Sequence, residues 1–121
     1  MTDEASRPRT VHVHVQLPRG ASAPNGALLR VQVSDVSIAD RASDVVADFE
    51  VPLPAGAAEA DVDVPVAVGL IDARASYSVF VHVDCTGSGE IEVGDFLSPA
   101  SHPVLTQGAP DQAEVPLIQV G

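Results

Sequence analysis

The sequence predicts an all-β fold, a single antiparallel β-sandwich of seven or eight short strands, and three observations carry that expectation. Apolar and polar residues alternate with period two in successive segments, which lines the apolar ones on one face of an extended chain. Turn residues recur between those segments, with 10 Pro and 9 Gly in 121 residues. No stretch sustains the i, i+3, i+4, i+7 spacing of an amphipathic helix, and a single turn around Gly69 to Ala75 is the best helical candidate. Valine is the commonest residue, against 1 Tyr, 3 Phe and no Trp, so the core is expected to consist of β-branched side chains.

Residues 1–9 lack periodicity and contain Pro8, which predicts a flexible tail ahead of one domain at residues 10–121. In Val11 to Leu17 the odd positions are apolar and the even ones, His12, His14 and Gln16, are polar, as in a strand with one wet face. Leu28 to Val36 follows with Leu29, Val31 and Val33 inward; the phase then changes at Val36, and a bulge near Asp35 accounts for it. Val45 to Val51 places Val45, Ala47, Phe49 and Val51 inward and Asp48 and Glu50 outward. Asp61 to Val68 carries four valines on one face, and Pro65 removes a ladder N–H, which predicts an edge position or a proline turned away from its partner. Tyr77 to Asp84 has apolar residues on both faces and is expected to be partly buried on both. Glu90 to Leu97 and Ala113 to Val120 complete seven strands, and Pro103 to Thr106 is the eighth candidate. Spacing and turn density of this kind predict a sandwich of immunoglobulin or transthyretin-like character.

The charge balance excludes whole classes of function. With 6 Arg, no Lys and 17 Asp plus Glu the net charge is -11, so the chain lacks the cations that nucleic acid and anionic lipid headgroups require. The N-terminus is acidic and polar, without the basic end and apolar stretch of a secretory signal, and the apolar runs are far shorter than the ~20 residues that span a bilayer. A cytoplasmic location without membrane insertion is the expectation. Cys85 is the only cysteine and has no internal disulfide partner.

Leu17-Pro18, the run Ala27 to Asp40 with its Asp35-Val36-Ser37-Ile38-Ala39-Asp40 ending, His102 to Gly108, and Glu114-Val115-Pro116-Leu117 together resemble the YbaY family, which includes YscW-type pilotin lipoproteins of type III secretion. Val64-Pro65-Val66, Ile71-Asp72 and Tyr77 match its middle more loosely, and the resemblance spans roughly residues 11–120. It implies a small β-sandwich without enzymatic activity and, in pilotins, a chaperone that guides an outer-membrane secretin. Against that pattern the residues show no signal and no lipidated N-terminal Cys, so neither is expected, and the segment from Cys85 to Ser98 replaces the short hairpin usual there.

The chemistry-bearing residues are few. His12 and His14 share a strand face, as strand-borne metal ligands do, with His82 or His102 as conceivable third ligands; a solvated outer face explains the pair equally without metal. Asp35, Asp40, Asp44 and Asp48 surround one loop and resemble the calcium loops of C2 domains, although Ca²⁺ needs about six to eight oxygens and solvated turn carboxylates have the same composition. No Gly-x-Ser-x-Gly elbow is present, Cys85 has no motif joining it to a His, and Thr86-Gly87-Ser88-Gly89 lacks the Lys of a phosphate loop. The expectation is therefore a non-enzymatic interaction module with no cofactor and no metal. Its partner is a protein or peptide, or a second copy of the chain, held by a sheet edge. The strand Val11 to Leu17 contains no Pro and is the expected edge, which places His12, His14 and Gln16 beside the incoming segment. The alternative is a metal-dependent binding domain of the C2-like calcium or histidine kind.

Overall fold

Valine alternation sets the two layers of the structure. The computed structural model describes residues 8–37 and 44–121. Among them are nine strands: β1 (Pro8–Gln16), β2 (Leu28–Asp35), β3 (Asp44–Pro52), β4 (Glu59–Ala67), β5 (Tyr77–Asp84), β6 (Phe96–Leu97), β7 (Pro103–Val104), β8 (Gln112–Pro116) and β9 (Ile118–Gln119). One 3-10 turn, Val68–Leu70, stands where the helical turn was expected. The small sheet has the order β4-β1-β8 and the large one β3-β2-β5-β6-β9, with β7 also pairing β5. Val11, Val13 and Val15 of β1 and Val31, Val33, Val79, Val81 and Val83 of β2 and β5 are essentially solvent-free, as are Val64, Val66 and Val115. Each such side chain contributes roughly 1.5–3 kcal/mol by leaving water.

The structure shows the expected sandwich and alters some of its parts. β1 pairs β4 antiparallel but β8 parallel, so one pair departs from the antiparallel scheme. β1 starts at Pro8, two residues before the expected domain boundary. The register shift between β2 and β3 falls between Val33 and Ser34, one residue ahead of the expected position, with Val46 as the extra residue on β3; past this bulge Val45 is 49% exposed, where an inward position was expected. The strand expected at Glu90 to Leu97 is reduced to Phe96 and Leu97, and Val93 is 80% exposed. Ala113 to Val120 is two strands: β8 in the small sheet and, after buried Leu117, β9 in the large one. That crossing closes one side of the sandwich. On the other side lie the edges β3 and β4, next to one another. β4 is the edge strand that Pro65 requires.

The Val104 to Ala109 corner is built from two tight turns. Leu105 has a φ of 74° and is spanned by a Thr106 N–H to Val104 carbonyl bond of 2.9 Å, the strained form of γ-turn. Gln107 and Gly108, at φ 59° and 79°, then form a turn closed by the Ala109 N–H on the Thr106 carbonyl. Left-handed backbone is free for Gly108 but costs about 1–2 kcal/mol at Gln107. Gln107→Gly is expected to leave stability within about 1 kcal/mol in urea unfolding, because relief of the left-handed backbone offsets the greater freedom of Gly in the unfolded chain and the loss of the Gln107 amide bond to the Ala73 carbonyl. A loss above about 2 kcal/mol would contradict this reading of the turn.

Candidate functional site

Of the residues expected to bind a partner, His12, His14 and Gln16, all three lie on β1, and β1 is the middle strand of the small sheet. β4 occupies one of its edges over Pro8 to Gln16 and β8 the other over His12 to Gln16. An incoming strand therefore cannot add there, and the expected edge is corrected. The absence of Pro marked a strand whose N–H groups can all pair, and here they pair inside the molecule.

What the outer face of the small sheet holds instead is a histidine and carboxylate ladder. The His12 Nδ1 lies 2.7 Å from Asp63 and its Nε2 3.3 Å from Asp61; the His14 Nδ1 lies 2.7 Å from Asp61 and its Nε2 3.3 Å from Glu59. The hydrogen bond to Asp63 raises the His12 pKa above 6.5, and that to Asp61 does the same for His14, in each case against a smaller opposing effect of burial. The His14 hydrogen bond in turn holds Asp61 below the ordinary carboxylate value. With folded pKa values above the unfolded ones, the histidines stabilise the sheet fully below about pH 6.5 and lose that contribution as pH rises through their folded values. Histidine NMR titration is expected to give midpoints above 6.5 for both, and Asp63→Asn to lower that of His12 while leaving His14 raised. Midpoints at or below 6.5 in the unmodified chain would contradict the ladder.

The other candidate ligands are scattered. His82 belongs to the large sheet, where its Nε2 lies 2.8 Å from Asp95, and the His102 N–H donates to Ser78 Oγ. Asp44 faces Asp35 across strands, Asp48 faces Gln32, and Asp40 lies outside the described residues. Among the described residues no group of three or more His, Cys, Asp or Glu has the geometry of a metal site.

Two carboxylates that sequence reasoning passed over organise the segment after β5. Asp84 accepts the N–H groups of Thr86, Gly87 and Gly89, and Asp95 accepts those of Cys85 and Glu92 beside its bond to His82. Burial pushes both pKa values up, but these bonds more than offset it and hold both below the ordinary carboxylate value. Asp84 followed by Thr, Gly, Ser and Gly is the legible signal, because Asp accepts backbone N–H groups a few residues ahead.

The remaining exposed feature is β3. It is nine residues long, has no Pro before Pro52, and pairs only β2. Among the described residues no strand lies on its other side. Its inward residues Ala47, Phe49 and Val51 pack against the core yet are only half-buried, while Asp48 and Glu50 face solvent. Near its start, Val45, which is 49% exposed, lines a groove of about 590 Å³ on the outer face of the large sheet, together with Ser34, Val36, Phe80 and Pro99. An open strand with an apolar underside and a neighbouring groove can accept main-chain hydrogen bonds and side chains from an extended segment.

The sequence and the fold both have known counterparts. Residues 6–117 match the family described as Type III secretion system lipoprotein chaperone (YscW). Among solved structures, an alternative pilotin from the type II secretion system of Vibrio cholerae is 21% identical, with a TM-score of 0.81 over 93% of this chain and 97% of that chain, which speaks for a common fold. No curated protein matches the chain.

Proposed function

This chain belongs to the YscW family of type III secretion lipoprotein chaperones, and from that premise we propose that it is a non-enzymatic protein-binding chaperone that takes an extended partner segment on the edge of β3. The observation that carries the reading is the eight-residue, proline-free span of β3 ahead of Pro52, paired on one side, with Phe49 and Val51 half-covered beneath it. Such an edge exposes a row of N–H and C=O groups that another chain can satisfy. Affinity then comes from main-chain bonds, and selectivity from alternate side chains seated against Phe49, Val51 and the groove at Val45. The competing edges are poorer. β9 has two residues, β8 ends in Pro116, and β4 is interrupted by Pro65.

Site-specific photocrosslinking in the source cell tests the reading. A crosslinker at Asp48 is expected to trap one polypeptide, and a crosslinker at Gln16 none. Trapping from Gln16 with nothing from Asp48 would overturn it.

A further inference from the structure

The partner's chemistry follows from what flanks the open side. Asp48 and Glu50 stand exposed on the outer face of β3, and Glu59, Asp61 and Asp63 on the outer face of the adjacent edge strand β4. Between these two acidic rows lies the apolar underside formed by Phe49, Val51 and, from β4, Ala60. Cations are scarce beside β3: the chain has no Lys, Arg30 lies 3.2 Å from Glu50, and Asp48 has Gln32 opposite it, whereas the β4 carboxylates already pair with His12 and His14. A strand added beside β3 alternates its side chains between the underside and the outer face. Its inward residues must be apolar to cover Phe49 and Val51. Its outward residues enter the row of Asp48 and Glu50, where opposite charge stabilises a cross-strand pair and like charge destabilises it.

We propose that the segment taken on β3 is a stretch of a different protein that alternates apolar with basic residues; the proposal rests on β3 being the docking edge and adds the rule by which that edge selects. A second copy of this chain is the wrong occupant. Pairing β3 with β3 would bring two sets of Asp48 and Glu50 into one row, and the net charge of -11 opposes close approach of two copies from a distance.

Three synthetic peptides test the rule against the full chain by calorimetry and amide exchange: alternating Val and Lys, alternating Val and Glu, and alternating Ser and Lys. The Val/Lys peptide is expected to bind at least about tenfold more tightly than either of the others and to slow exchange across Val45 to Val51. That preference over Val/Glu shrinks in the double variant Asp48→Asn, Glu50→Gln and in high salt, which screens exposed charges. Equal binding and equal protection by Val/Lys and Val/Glu would remove the charge rule while leaving the edge intact. Equal binding by Ser/Lys and Val/Lys would reduce the effect to bulk electrostatics and overturn the proposal. If no alternating peptide slows exchange in β3, the docking edge falls and the proposal with it. Concentration-dependent dimerisation that protects β3 would make a second copy the occupant, against the proposal.

Discussion

Replacing Asp95 by alanine is expected to lower the stability of the protein by about 3–5 kcal/mol, since it removes a buried carboxylate that accepts three hydrogen bonds, at roughly 1–3 kcal/mol for each donor left without a partner. Asp95 is fully buried and accepts from His82 Nε2 at 2.8 Å, from the Cys85 N–H at 2.9 Å and from the Glu92 N–H at 3.0 Å. Alanine deprives all three donors of this acceptor beneath the 85–94 segment, and the buried His82, which cannot turn to water, carries its desolvation penalty in full, while the Cys85 and Glu92 N–H groups are part-buried. Thermal unfolding is expected to fall by roughly 10–25 °C. Asp95→Asn keeps one acceptor oxygen and is expected to lose less than half as much. The pH dependence has a definite sign. Because the folded pKa lies below the unfolded one, the Asp95 contribution is present above about pH 4 and is lost as pH falls through the folded value. The gap between the original chain and Asp95→Ala therefore narrows in acid. A loss below 1 kcal/mol at neutral pH would show that this carboxylate does not hold the segment.

Phe49→Lys is expected to weaken partner capture by at least about a hundredfold, or ~2.7 kcal/mol, in a chain that still folds. Phe49 faces inward from β3 but is only half-buried, so the lysine can reach water in the free protein at a cost of about 1–3 kcal/mol. Once a partner strand covers that margin the ammonium loses its hydration without gaining a partner. Inward-pointing charge is the same device by which natural edge strands avoid pairing. Gln16→Lys, on the closed strand β1, is expected to leave capture unchanged. Unaltered capture by Phe49→Lys, or loss in Gln16→Lys, would move the site away from β3.

Much of the fold was legible because valine alternation reports directly on sheet faces. Val11, Val13, Val15, Val62, Val64, Val66, Val79, Val81 and Val83 are all buried as their period requires. Pro65 gave the edge position of β4, since a missing N–H is a local fact with a topological consequence. Strand order was less legible. Nothing within Val11 to Leu17 reveals that residues 112–116 return a hundred residues later to pair with it in parallel. The lack of proline in Val11 to Leu17 points to an edge there, and β3 shares that lack between Asp44 and Val51. Alternation also misled at Ile91 and Val93, where the Asp84 and Asp95 carboxylates impose a turn on residues that read as strand. At Leu117 the chain passes from one sheet to the other within a run that reads as one strand.

Amide exchange across β3 in the complex recovered from the source cell tests the central claim most directly. Binding at this edge predicts slowed exchange from Val45 to Val51, with β1 unchanged because both of its sides are already paired. Unchanged exchange in β3, with protection confined to other strands or to loops, would contradict it.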